Sequence, residues 1–438
     1  MGQSVLTTGF TRADASAGGA VWCEGVSLEE IARDVGTPVY VYSKATIRDR
    51  YQRLDRMLAT VPHRIHYTLK ANSSLGVLSV LRELGAGADV VSGGELRRAA
   101  RAGFTPNDII FGGVGKTKRE LEEALDAGVL LINVESEAEV RLLDTLAAER
   151  ETRARVSLRV NPEVTLDSPH EYIKTGGRGH KFGIPFDDVL HVAKVAASLP
   201  NVDLIGLDMH LGSQLSRIDP YREGTERLAS IFAELTKRGI NTLQYLDLGG
   251  GLGVRYDTEL PPDLHRFAEL VLPTVYDTGL HVIMEPGRFV IGNAGALVTE
   301  VLYRKHSGGK DYVVVDAGMT ELLRPSHYGA FHRILAMHQR SERKTVDVVG
   351  PVCESGDFLA LDRELDDVQP GDHLVVCDVG AYGYAMASNY NSRLRPAEVL
   401  VDGDRFAVIT QREQYDDLLR REIESPEWKY VNATREQI

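Results

Sequence analysis

Residues 64–112 read RIHYTLKANSSLGVLSVLRELGAGADVVSGGELRRAARAGFTPNDIIFG. Three short apolar runs, RIHYTL (64–69), ADVV (88–91) and IIFG (109–112), alternate with two stretches, SLGVLSVLRELG and GELRRAARAG. The runs have the pattern of buried strands. The stretches carry apolar residues at three- and four-residue spacing and end near Gly, as amphipathic helices do. Outward from there the rhythm continues through LLINV (130–134), VSLRV (156–160), LIGLDM (204–209), LQYLDL (243–248) and HVIM (281–284), with TKRELEEALDAG and SEAEVRLLDTLAAER among the helical spacers. Eight strand–helix units over about 230 residues predict a closed (β/α)8 barrel. An open doubly wound sheet is the alternative that periodicity leaves standing.

After about Gly292 the pattern changes. TEVLYRKHS, KDYVVVDAG, RKTVDVVGP, DHLVVCDVG and RPAEVLVDGDRFAVITQRE read as strands separated by turns, a mainly β domain. The early strand VYVYS (39–43) is expected to join one domain to the other. The organisation expected is a loose N-terminal arm over 1–20, rich in Gly, Ala, Ser and Thr, a barrel over 45–290, and a β domain made of 21–44 with 291–438.

Composition narrows the class. The chain has 438 residues, 43% hydrophobic and 26% charged, the balance of a soluble globular protein. Lys and Arg number 50 against 63 Asp and Glu, a net charge of −13. With no basic stripe, that argues against nucleic acid and against anionic membrane surfaces. No apolar run is long enough to span a bilayer, and the N-terminus has no signal-peptide pattern. Three scattered cysteines, Cys23, Cys353 and Cys377, build neither a disulfide framework nor a thiolate metal site. The expected address is the cytoplasm.

The chemistry is expected where the strands end, since barrel active sites gather at the C-terminal mouth. Those ends carry Lys70, Asp89 with Ser92, His210 with Ser213, GGGLG at 249–253, and EPGR at 285–288. Lys70 closes an apolar strand, so desolvation should lower its pKa and suit it to a Schiff base. A snorkelling lysine is the ordinary reading of such a residue taken alone. The glycine run follows the seventh strand, where these barrels bind phosphate, although a tight turn would explain it too. Glu285 can pair with a protonated pyridine nitrogen, and Arg288 offers a planar fork for a carboxylate. A structural Glu–Arg pair is the plainer alternative. His210 could stack on a planar ring, and Ser213 could donate to a phosphate. No three or four metal ligands can be assembled. Together these features match what pyridoxal phosphate needs.

Nine motifs in order carry a resemblance. They are HYTLKAN, DVVSGGEL, HEYIKTGGRGHKFGI, HLGSQ, DLGGGLG, EPGRFVIGNAG, DAGMTELLRPSHYGAFH, GPVCESGDFLA and GAYGYAMASNYNSRLRPAEVLVDG, spanning from about Gly25 to about Leu419. The chain resembles the diaminopimelate decarboxylases, in the pyridoxal-phosphate fold family that also holds alanine racemase and eukaryotic ornithine decarboxylase.

The resemblance implies the barrel, a β domain of Greek-key barrel or sandwich type, pyridoxal 5'-phosphate as cofactor, and a head-to-tail homodimer with active sites at the interface. It implies decarboxylation of meso-2,6-diaminopimelate at its D-configured centre to L-lysine and CO2, the last step of lysine biosynthesis. Carried over residue by residue, Lys70 resembles the cofactor-holding lysine, Glu285 the pyridinium partner and His210 the stacking ring. Ser213, Gly250 and Gly251 resemble phosphate contacts, within a cofactor set that includes Pro286, Gly287, Arg288 and Tyr382. Arg288, Arg324, Tyr328 and Tyr382 resemble substrate contacts. Cys353 and Glu354 resemble residues reaching in from the second subunit, the thiol as proton donor and the glutamate as reader of the distal amine.

Leu394 stands where the family pattern has Arg, and Ser326 and His327 depart from commoner versions beside Tyr328. Relatives that decarboxylate ornithine, arginine or carrier-bound amino acids are one alternative. A racemase and a homologue without catalysis are the others. Arg324, Tyr328 and the CES triplet at 353–355 favour diaminopimelate.

Overall fold

The computed structural model describes residues 4–7, 9–13, 19–164 and 179–429. Most of the HEYIKTGGRGHKFGI motif (170–184) lies outside the described residues, as does part of the first twenty. Eight parallel strands follow one another: β1 (His63–Thr68), β2 (Gly87–Val90), β3 (Ile109–Phe111), β4 (Leu131–Val134), β5 (Ala154–Asn161), β6 (Val202–Met209), β7 (Tyr245–Asp247) and β8 (His281–Met284). Each pairs with the next, and β8 returns to β1 through Val282–His63 and Met284–Ile65. The sheet is therefore closed, and the open-sheet alternative falls.

Helices fill the crossovers for local reasons. The helix Lys118–Ala127 opens on a capping box, in which Thr117 accepts from the Glu120 N–H and Glu120 bonds back to the Thr117 N–H. It ends at Gly128, whose φ of 67° is the left-handed conformation that stops a helix. Ser92, grouped with the site by its place after a strand, is the N-cap of helix Gly93–Ala102 and accepts from the Glu95 N–H. Its role is structural.

The barrel interior is layered. Ile110, Leu131, Ile205 and Ile283 pack as a small apolar cluster of their own. Two residues further along their strands, on the same face of the pleat, Leu131 gives way to Asn133 and Ile283 to Glu285. The interior thus turns polar towards the mouth.

The β domain begins with β9 (Gly295–Ser307) and continues through β10 (Lys310–Val315), β11 (Ile334–Ala336), β12 (Arg343–Val349), β13 (Phe358–Asp366), β14 (His373–Cys377), β15 (Ala397–Asp402) and β16 (Arg405–Thr410). The long β9 has three neighbours. Its first half lies between Val39–Ser43 and β14, and its second half pairs with β10. Val39–Ser43 also pairs in parallel with β15, so a strand from before the barrel sits inside the domain that follows it. Within the stretch read as a loose arm, Phe10–Arg12 is instead a strand paired with Val21–Cys23, and Phe10 is buried. Arg12 secures it by donating to the Ala336 carbonyl at 2.7 Å.

The seam between the domains is tight. The Gly380 N–H bonds to the Gly292 carbonyl, and the Tyr382 N–H reaches the Ala71 carbonyl beside Lys70. A Cβ on Gly380 would overlap the Ile291 carbonyl. Gly380→Ala should therefore destabilise the fold by about 1–3 kcal/mol, read as a lower urea midpoint. Gly115→Ala, in an exposed turn with nothing within 4 Å of the new methyl, should leave the midpoint unchanged.

Candidate active site

A cavity of ≈ 360 Å³ opens at the barrel mouth, where the β domain closes over it. Of the residues singled out in the sequence, Lys70, His210, Ser213, Arg288, Arg324, Tyr328 and Tyr382 line it. Tyr256, Gln214, Asp257 and Glu259, which sequence reading missed, line it too.

Lys70 sits in a single 3₁₀ turn, Leu69–Ala71, between buried Leu69 and Ala71. Lys70 itself is exposed into the cavity that it lines. Desolvation acts to lower its pKa, as expected, but its neighbours, Asp89 first and then Tyr382 and Glu285, act the other way and raise it from the ordinary lysine value. The expected lowering by desolvation is thus opposed, and the net direction reversed, by the acidic groups that the fold brings beside Lys70.

That cluster is the main feature sequence reading did not assemble. Asp208, Asp247 and Glu285 are buried with ligand oxygens within 4.8 Å of one another. The fold thus makes a convergent set of three carboxylates where the sequence suggested none. Asp89 adjoins them, held by the Thr68 hydroxyl at 2.8 Å. Asn133, reaching across from β4, donates to Glu285 at 3.3 Å. Arg159 lies 3.8 Å from Asp208 and pairs with Glu135 at 2.7 Å. Burial, followed by their neighbours' charges, raises Glu285 and Asp208 well above the carboxylate range, and burial raises Asp247 to about 7 against the lowering effect of its hydrogen bond from Gly249. Asp208 Oδ1 and Asp247 Oδ2 are buried without a hydrogen-bond partner. Such a set of acceptors suits a cation held deep in the mouth. A signal for it existed, since Asn133, Asp208 and Asp247 each stand in the apolar run at or next to the end of a strand.

His210 accepts from the Gly250 N–H on Nδ1 at 3.3 Å. Burial, together with Lys70 and Arg159, holds its pKa well below the usual value, so the ring is neutral. The three glycines before Leu252 have a packing reason of their own. A Cβ on Gly249, Gly250 or Gly251 would run into the carbonyl of Met209, Glu285 or Gly212, and φ is +65° at Gly249 and +104° at Gly251. Only glycines let the loops after β6, β7 and β8 approach this closely. Beside them, the Pro286 carbonyl accepts from the Thr68 N–H, and Gly287 starts the short helix Arg288–Ile291.

The two arginines are both 6% exposed. Arg288 donates to Ser213 Oγ at 2.9 Å and to the Tyr256 hydroxyl at 2.8 Å, and lies 4.8 Å over the Tyr382 ring. Tyr382 holds that place with φ at 58°, a conformation uncommon for a tyrosine. Arg324 donates to His332 at 2.8 Å and lies 4.7 Å over the Tyr256 ring. Among the described residues, neither arginine pairs with a carboxylate. Two buried guanidiniums held by neutral partners make a receptor for carboxylates.

Cys353 and Glu354 are not brought here. Both are exposed on a turn between β12 and β13, where the Cys353 N–H donates to Asn391 Oδ1 at 3.0 Å.

A carboxyl whose pKa is raised on folding stabilises the fold below the ordinary carboxylate range and loses that contribution as pH climbs towards its folded value. For Asp247 the loss spans the ordinary range up to about 7. Asp247→Asn keeps the oxygen that accepts from the Gly249 N–H at 2.8 Å and removes the charge. In cofactor-free protein it should raise the Tm at about pH 8 and change it little at about pH 5. An equal change at both would disprove the titration.

Comparison with known proteins agrees with this geometry. A family model described as pyridoxal-dependent decarboxylase, pyridoxal binding domain, matches residues 44–292. The chain is 45% identical over 411 residues to a diaminopimelate decarboxylase of Vibrio cholerae, covering 93% of this chain and 98% of that protein. It is 43% identical over 411 residues to one of Aquifex aeolicus, covering 93% and 96%. The crystal structure of diaminopimelate decarboxylase from Helicobacter pylori complexed with L-lysine superposes with a TM-score of 0.87 at 39% identity, covering 90% of this chain and 98% of that one. The chain belongs to the pyridoxal-dependent decarboxylases and, within them, to the diaminopimelate decarboxylase family.

Proposed function

We propose that the chain decarboxylates meso-2,6-diaminopimelate to L-lysine and CO2, as the last step of lysine biosynthesis. The observation that carries this reading is the pair of buried, acid-free arginines, Arg288 and Arg324, in one cavity with Lys70. The cofactor is pyridoxal phosphate, and the residues present fit it. Lys70 lines the cavity, a carboxylate set with unpartnered oxygens lies behind it, and a side-chain-free glycine loop flanks it. Lys70 would hold it through its amine and Glu285 at the ring nitrogen, with His210 against the ring. Ser213, Gly250, Gly251, Pro286, Gly287, Arg288 and Tyr382 would surround its phosphate end. When bound, the cofactor supplies an electrophile for the substrate amine and an electron sink for the carbanion left when CO2 departs.

The chain's own residues do the rest. Arg288 and Arg324 take substrate carboxylates, with Tyr328 and Tyr382 shaping the wall, so one C–COO⁻ bond is held in a fixed orientation. As CO2 leaves, its bonding electrons stay with the α-carbon, and a proton takes its place there. Cys353 is the donor in this reading, and Glu354 reads the distal ammonium. Both reach the cavity from a second copy of the chain in a homodimer. What supports the second copy is that both residues are exposed and outside their own chain's cavity. The enzyme works in the cytoplasm, a placement supported by three free cysteines. No helix among the described residues is long and apolar enough to cross a membrane.

The direct test is to follow CO2 and product from meso-diaminopimelate, L-ornithine and L-arginine separately. Lysine from the first alone is expected. Lys70→Ala should lose turnover and the visible band of bound cofactor. Turnover only on ornithine or arginine would overturn the substrate.

Shared sites make a sharper prediction. Lys70→Ala and Cys353→Ala should each be nearly inactive. Mixing the two with subunit exchange should restore about a quarter of normal activity, because half the dimers then hold one intact site of two. No recovery in exchanged mixtures would place the donor elsewhere.

A further inference from the structure

Two like charges buried side by side need a reason to stay in place. Arg288 and Arg324 repel each other, and among the described residues neither forms an ion pair with a carboxylate. What connects them is Tyr256. Its hydroxyl accepts from Arg288 Nη1 at 2.8 Å, while its ring lies 4.7 Å beneath the Arg324 guanidinium. His332 stands roughly perpendicular to the same ring, with centroids 5.4 Å apart at 80°.

His332 is 0% exposed, and both ring nitrogens are committed. Nδ1 lies 3.0 Å from the Cys377 carbonyl, which can only accept, so Nδ1 carries the proton. Nε2 lies 2.8 Å from Arg324 Nη1, which can only donate, so Nε2 is the bare acceptor. Two neighbours thus select one neutral tautomer. Burial and Arg324 both oppose its protonation. A carboxylate in either place would neutralise the arginine and compete with the substrate. A tyrosine hydroxyl, an aromatic face and a neutral imidazole orient the guanidiniums while leaving their charge uncompensated.

We propose that Tyr256 and His332 are positioning residues. They hold Arg288 and Arg324 as a matched pair aimed into the cavity, and so set the preference for an amino acid with a second, distal carboxylate. The inference rests on the substrate reading above and deepens it. His332 is not part of the cavity lining, and Tyr256 acts through the two arginines that it contacts.

The experiment uses holoenzyme and steady-state kinetics on meso-diaminopimelate, with D-lysine, which lacks the distal carboxylate, as a competing ligand. Tyr256→Phe keeps the ring and loses the hydroxyl, and His332→Leu loses the acceptor. Each should raise KM about tenfold or more, the scale of a lost charged hydrogen bond. The visible spectrum of bound cofactor should not change, and kcat should move far less than KM. The Ki of D-lysine should stay within about threefold in His332→Leu. His332→Gln, whose amide oxygen can stand where Nε2 stood, should recover most of the affinity. If His332→Leu fails to fold, Tyr256→Phe and His332→Gln still decide, the latter by a KM near that of the unsubstituted enzyme. Unchanged KM in Tyr256→Phe, or equal weakening of both ligands, would overturn the positioning role. An unsubstituted enzyme inactive on meso-diaminopimelate would instead overturn the substrate reading.

Discussion

Charge is buried in the mouth of this barrel, and the rest of the molecule is arranged around that fact. Asp89, Asp208, Asp247 and Glu285 are buried there, and Lys70 and Arg159 are charged neighbours of the group. Isolated carboxylates in such a place would be costly, and they respond as buried acids do, by resisting ionisation. The lysine responds in the opposite sense, because the acids around it favour its charged form. Only a closed ring can enforce this crowding. It brings β8 back to β1, so the residues that follow them in sequence, Glu285 and Lys70, share one mouth although 215 positions separate them.

The second domain completes what the barrel begins. Val39–Ser43 is wholly buried and pairs on both sides within the β domain, so the chain is anchored there before the barrel starts. The seam at Gly292, Gly295 and Gly380 lets backbone meet backbone. That close approach sets the Tyr382 amide on the Ala71 carbonyl and its ring beneath Arg288. A strained tyrosine, a buried histidine and two arginines then come together from both domains around Tyr256. The cavity is therefore a product of domain packing, and the barrel alone supplies only its floor.

The strand–helix rhythm was legible because burial on both faces leaves short β-branched runs, and because caps such as Thr117 and Gly128 punctuate the helices between them. The mouth residues Lys70, His210, Ser213, Glu285 and Arg288 were legible because they follow strands directly. Ser92 misled for the same reason, since a serine after a strand also suits a helix cap. Phe10–Arg12 misled because a composition of small residues suggests looseness, while a single buried aromatic and one arginine bond decide otherwise.

What the sequence by itself determined was local: alternation of strand and helix, the order of the motifs, and which residues stand at strand ends. Those properties depend on neighbours within a few positions, and side-chain periodicity records them. Tertiary structure decided the rest. Ring closure, the meeting of Asp208 and Asp247 with Glu285, the rise rather than fall of the Lys70 pKa, and the shared tyrosine beneath two arginines all depend on groups distant in sequence. The physical reason is that electrostatic energy and hydrogen-bond geometry are set by distance in space, and only the folded chain fixes those distances.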